Sequence, residues 1–132
     1  MSVRRVAIIA SHGNIDDAYK VLNIATAAAA MGAEVQVFFT FDGLKIIHKE
    51  ANRQLPVPEH LQPALEGFKK NNVPSVPELL EIARESGVKL IGCQMTMDVM
   101  GIGLDQLVDG VEPGGAATFL AFAAEADVNV TF

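Results

Sequence analysis

The chain has 132 residues, 50% of them hydrophobic and 20% charged, enough for one domain over residues 1–132 with one sizeable core. A single cysteine excludes an intramolecular disulfide and a cysteine-rich metal cluster. Aromatics at 6%, no Trp and a net charge of −6 argue against a nucleic-acid partner, which wants stacking platforms and clustered cations.

The charge is unevenly placed. Residues 1–89 hold all 10 Lys and Arg and 10 of the 16 acids. Residues 90–132 hold Asp98, Asp105, Asp109, Glu112, Glu125 and Asp127 and no Lys or Arg, so the whole −6 lies there. Solvated acidic faces are the plain reading of such a stretch. Cys93 stands at its start.

The N-terminus is basic and then apolar, but the run Val6 to Ala10 is too short for a signal peptide core and no small-residue cleavage site follows. Ile24 to Met31 falls well short of the roughly 20 residues that span a bilayer. The expectation is a cytoplasmic protein with no membrane partner, in a compartment where a free thiol persists.

Val3 to Ala10 reads as a buried strand, closed by Ser11-His12-Gly13-Asn14. Asn14 is a helix N-cap, with Asp16 and Asp17 in the first turn. Ala18, Val21, Leu22 and Ala25 carry the i, i+3, i+4, i+7 spacing of an amphipathic helix that ends at Gly32. Val35 to Phe39 is a second strand, so the opening is a βαβ unit.

Residues 43–74 hold four of the six prolines and read as an insertion, a candidate lid, with helical pieces near Leu44–Lys49 and Leu61–Lys70. Ser75-Val76-Pro77-Glu78 is a capping box opening a helix on Val76, Leu79, Leu80 and Ala83, which Gly87 ends. Val88 to Gly92 is the third strand and runs into Cys93. Met95 to Met100 forms a short helix ended by Gly101, and Leu104 to Val108 another short turn. Val111 marks a brief fourth strand. Pro113-Gly114-Gly115 opens a helix with Ala116, Phe119, Leu120 and Ala123 on one face. Val128, Val130 and Phe132 alternate with polar residues, the pattern of a half-exposed edge strand.

The sum is an α/β, three-layer, flavodoxin-like sandwich with about five mostly parallel strands. Sites in such sheets lie at the carboxyl ends of strands near the topological switch point, where the first and third strands are usual neighbours. That arrangement gathers His12 and Gly13, Cys93 and Gln94, with Asp42 and Gly43 close by.

Spacing excludes the familiar cysteine motifs. A redox C-x-x-C needs a second Cys where Thr96 stands, and a phosphatase C-x5-R needs Arg where Val99 stands. P-loop and G-x-G-x-x-G patterns are absent. What remains is a thiol at a strand end before a helix, with the Met95 and Thr96 amides facing the sulfur or an anion on it. Cationic help has to come from His12, Lys45, Lys49 or another subunit. The alternative is a small buried hydrophobe. Met95, Met97 and Met100 read as core filling rather than metal ligands. Asp98 reads as a solvated or capping carboxylate, or as a hydrogen-bond partner that orients the Cys93 loop. Asp42 reads as a turn residue.

Cys93-Gln94-Met95-Thr96-Met97-Asp98-Val99-Met100-Gly101 resembles the signature of the DsrE/DsrF-like proteins, in the branch termed peroxiredoxin-like or DsrE-like. Phe39-Thr40-Phe41-Asp42-Gly43, and the end of the chain from Gly114 to Val130, resemble the same branch. The resemblance covers almost the whole chain. It implies a flavodoxin-like fold, a homo-oligomer (trimer or hexamer) and cytoplasmic sulfur relay; no cofactor or metal is expected. Cys93 would carry sulfur as a persulfide or thiosulfonate and pass it to a TusA-like carrier or another thiol protein. From their place at the strand ends and the start of the helix, His12, Gly13, Asp42, Gly43, Gln94, Met95, Thr96 and Asp98 are expected to support it. Some relatives have a second cysteine; this chain does not, so intramolecular disulfide release is unavailable. A ligand- or protein-interaction module without catalysis is the competing reading. A flavin or nucleotide binder is a third, on fold analogy alone.

Overall fold

The apolar run near the N-terminus forms the centre of a parallel sheet. In the computed structural model, which describes residues 2–132, β1 (Arg5–Ala10) bonds β2 (Glu34–Phe39) on one side and β5 (Val128–Thr131) on the other. Val6, Ala7, Ile8 and Ala10 are buried, as a strand covered on both faces requires. β3 (Lys89–Cys93) pairs with β2, and β4 (Val111–Gly114) with β3. All four pairings are parallel, in the order β4-β3-β2-β1-β5.

This order corrects the expected adjacency of the first and third strands: β2 lies between them. The connections from β1 to β4 each step one strand in the same direction, and only the last reverses, returning past β1 to β5. Right-handed crossovers that run in opposite directions put their helices on opposite faces. Accordingly α1 (Ile15–Ala30) and α4 (Val76–Glu85) pack on each other, while α6 (Ala116–Ala123) packs on β1 and β2. Phe119 of α6 stacks on Phe38 of β2 with ring centroids 5.2 Å apart. The three layers follow.

The caps form as the sequence suggests. The Asn14 N–H donates to the Asp17 carboxylate at 3.0 Å, and the Glu78 N–H to Ser75 Oγ at 3.3 Å. Ala18, Val21, Leu22 and Ala25 are fully buried. β5 is an edge strand with alternating exposure. One boundary differs: Pro113 and Gly114 belong to β4, and the following helix begins at Ala116. An edge strand tolerates proline because one side of its backbone has no ladder to complete.

Residues 43–74 contain α2 (Leu44–Ile47), two 3₁₀ turns and α3 (Leu65–Lys70). Their ties run to α1 and to the loop before β4. The Ile15 N–H donates to the Pro56 carbonyl, Tyr19 packs on Phe68, and the Val108 N–H donates to the Ile47 carbonyl. Among the described residues no helix is long and apolar enough to cross a membrane.

The loops after β1 and β2 touch backbone to backbone. A Cβ at Gly43 would stand on the Ala10 carbonyl, and one at Gly13 on the Asp42 carbonyl, both inside the closest approach real Cβ atoms make. Gly67, in α3, faces open space. Gly43→Ala is therefore expected to destabilise the fold by about 1–3 kcal/mol. Gly67→Ala is expected to stabilise it by about 0.5–1 kcal/mol through helix propensity. Chemical denaturation of the two variants checks the contact; equal midpoints would contradict it.

Candidate functional site around Cys93

The third strand ends at Cys93, and α5 (Gln94–Met100) starts at the next residue. Gly101, at φ +66°, stops this helix in the left-handed conformation that glycine adopts without strain. Cys93 is the N-cap residue of α5 and is 6% exposed. Its neighbours across the sheet are β2, which leads into Thr40, and β4, where Gly114 is its register partner.

Thr96 is fully buried one turn into α5. Its Oγ1 accepts the Phe41 N–H at 3.1 Å and lies 3.3 Å from Thr40 Oγ1. A threonine hydroxyl has one proton to give and two lone pairs to fill. Two hydroxyls side by side hold two protons, and one suffices to bond them to each other. The second is free for the sulfur. Phe41, whose N–H is tied here, holds a φ of +48°, an uncommon conformation for an aromatic residue, with its ring exposed.

The environment acts on the thiol in both directions. Burial pushes the Cys93 pKa up. The Thr96 hydroxyl and amide, the Thr40 hydroxyl and the Met95 amide outweigh burial and bring it below the ordinary thiol value. No capping bond from α5 to the cysteine side chain is closed. These donors face the sulfur and gain most when it is anionic.

The remaining expected site residues divide into groups. Thr96 and Met95 stand with Cys93; the Met95 side chain itself is exposed. Gln94 and Asp98 pair with each other on the outer side of α5, Nε2 to Oδ1 at 2.8 Å. Gly13 and Gly43 form the loop contact described above, one strand away at the ends of β1 and β2. Asp42 lies there too, with its carboxylate 3.9 Å from Lys45 Nζ.

His12 is not brought to Cys93. It sits exposed at the end of β1, with Nδ1 3.2 Å from Ser11 Oγ, and the intervening β2 sets the two strands about 10 Å apart. The methionines also divide: Met97 is core, whereas Met95 and Met100 are about half exposed, against the expectation that all three fill the interior. Thr40 is the neighbour that sequence reasoning missed. Its signal is a hydroxyl residue at the end of a strand, which acquires meaning only once β2 is known to flank β3.

Comparison with known proteins agrees with this architecture. A family model described as DsrE/DsrF/DrsH-like matches residues 2–65 and 59–131. The sulfur carrier protein DsrE2 of Allochromatium vinosum is 37% identical, over 97% of this chain and 98% of its own. The uncharacterized protein YrkE of Bacillus subtilis is 32% identical, over 96% of each. Among solved structures, the ychN protein of E. coli superposes with a TM-score of 0.73 at 20% identity, covering 98% of this chain and 99% of its own. A protein of unknown function from Methanobacterium thermoautotrophicum gives 0.57 at 15% identity, with the same coverage. With a model matched along nearly its whole length and two full-length relatives above 30% identity, the chain belongs to the DsrE/DsrF/DrsH-like family.

Proposed function

We propose that this protein is a sulfur carrier that takes sulfane sulfur onto Cys93 and hands it to a partner thiol in a reducing, cytoplasmic setting. The observation that carries the reading is the place of Cys93, a thiol at the end of β3 and the N-cap of α5, next to the paired Thr40 and Thr96 hydroxyls; the lowered thiol pKa agrees with it. The full-length relative that is itself named a sulfur carrier supports it.

The Cys93 thiolate attacks the outer sulfur of a persulfide or polysulfide, R–S–SH. One S–S bond forms, another breaks, and R–S⁻ leaves, so Cys93 becomes a persulfide with no net redox change. With tetrathionate as donor, thiosulfate leaves and Cys93 carries a thiosulfonate. The Thr96 and Thr40 hydroxyls and the two amides hold the negative charge in either adduct. A partner thiolate, such as that of a TusA-like carrier, then attacks the sulfane sulfur bonded to Cys93 Sγ, forms an S–S bond to it and releases the Cys93 thiolate. The chain has no second cysteine, so the acceptor is another molecule. Gln94, Asp98 and the Asp42–Gly43 turn position the loops on either side of the thiol. His12 and Gly13 shape the rim at β1.

Intact-mass measurement after incubation with polysulfide or tetrathionate tests the reading. Wild-type protein is expected to gain sulfur, reversibly under added thiol, and Cys93→Ala to gain none. Equal adducts on both proteins, or on neither, would sink the proposal.

The role of Thr96 has its own readout. Alkylation of Cys93 is expected to rise with pH and level off below the pH at which a free cysteine does, because the folded thiol ionises earlier. Thr96→Val removes a donor and leaves burial less opposed, so the inflection moves up; Thr96→Ser keeps it low. The valine variant also strands the Phe41 N–H, at about 1–3 kcal/mol of stability. An inflection unmoved by Thr96→Val would show that the hydroxyl does not act on the sulfur.

Assembly is a second part of the reading. Leu120 on the outer face of α6 is 61% exposed. No charged side chain lies on α6. A helix apolar all round is normally covered. We infer a homo-oligomer, a trimer or hexamer, that buries this face. Light scattering is expected to show it, and Leu120→Glu to shift the mass downward. A monomeric wild type at high concentration would refute the assembly.

A further inference from the structure

We propose that a second site, separate from Cys93, binds a small organic anion in the cleft between α4, the turn at Ala51–Arg53 and the loop before β4. The cleft is ≈ 190 Å³. That is roughly the volume of six liquid waters and below the usual range for drug-sized ligands, so the occupant is small.

The side chain that points to a ligand is Asn52. It is 4% exposed and lines the cleft, and what exposure it keeps includes its amide, which reaches solvent there. The polar atoms of the amide are not sealed off: they keep contact with solvent at the cleft and are open to a ligand there. Its position is held firmly. The Asn52 N–H donates to the His48 carbonyl at 3.1 Å, and His48 Nδ1 accepts the N–H groups of Glu50 and Ala51 at 3.2 Å each. His48 is itself bridged to Leu107. The amide is therefore presented on a preorganised turn.

Charge selects the class of ligand. Lys49, Arg53 and Arg84 line the cleft, against Glu81 and Asp109. Arg84 is paired with Glu81. Lys49 and Arg53 form no salt bridge with the described residues. In a chain of net charge −6 this is a local surplus of cations. The rest of the lining is apolar, chiefly Leu80, Leu90 and Val108. A carboxylate or phosphate head would meet Lys49 and Arg53, Asn52 would bond a neighbouring polar atom, and a short apolar body would rest on the leucines.

The site is distinct from the thiol. Leu90 and Cys93 lie three residues apart on β3, about 10 Å along the strand. The proposal therefore stands or falls independently of sulfur transfer.

Titration of the full chain with phenyl phosphate, at constant ionic strength and followed by amide NMR, tests it. Saturable shifts are expected at residues 49–53, Arg84 and Val108, with inorganic phosphate binding more weakly because it lacks the apolar body. Lys49→Gln with Arg53→Gln is expected to weaken binding about tenfold or more. Asn52→Asp, which keeps the shape and adds a negative charge, should abolish it. Absence of saturable shifts, shifts centred elsewhere, or undiminished affinity in the double variant would overturn the proposal. The double variant changes only side chains that form no salt bridge, so the test does not depend on Asn52→Asp folding.

Discussion

Thr96 Oγ1 takes the Phe41 N–H across a gap between two strand ends, and the Cys93 end of the sheet is organised by that bond. It ties the turn after β2 to the first turn of α5 and fixes the distance between the two threonine hydroxyls. The hydroxyl protons are then shared among few acceptors, and the sulfur is one of them. A buried thiol in an apolar setting resists ionisation. Here the same burial is opposed by four donors, two of them hydroxyls held by this one contact.

The absence of cations after residue 89 takes on a physical meaning in this geometry. A neighbouring Lys or Arg would lower a thiol's pKa by fixed charge. Cys93 is served by neutral dipoles instead, and neutral hydrogen-bond donors favour an anion without attracting counter-ions or bulk acids. The cations that line a cleft, Lys49, Arg53 and Arg84, gather on a different part of the molecule, beside α4 and the start of β3. The cations of the cleft and the thiol are thus placed apart.

The segment 43–74 links these two regions. At its start Gly43 lies against the Ala10 carbonyl at the foot of the Phe41 turn. Farther on, His48 and Lys49 bond the loop before β4, and the Asn52 turn closes one wall of the cleft. Its proline-rich middle returns over α1, where the Tyr19 hydroxyl donates to the Pro74 carbonyl at 2.7 Å. The segment is consequently a structural wall on the α1 and α4 side, fixed at several points.

Local pattern carried much of the fold. Apolar runs bounded by turns identified the strands, and the spacing of Ala18, Val21, Leu22 and Ala25 identified the buried face of α1, because burial repeats with the period of the local backbone. The caps at Asn14 and Ser75 were legible for the same reason: their bonds close within three residues. The position of Cys93, between a strand and a helix, was legible too. Strand order was not, because pairing is decided by which crossovers pack on a common face, and no residue in a strand encodes its neighbour. The sequence alone determined that one thiol would sit at a strand end; only the tertiary structure decided that β2 flanks it, that Thr40 rather than His12 faces it, and that Asn52 opens onto a cleft lined by Lys49 and Arg53.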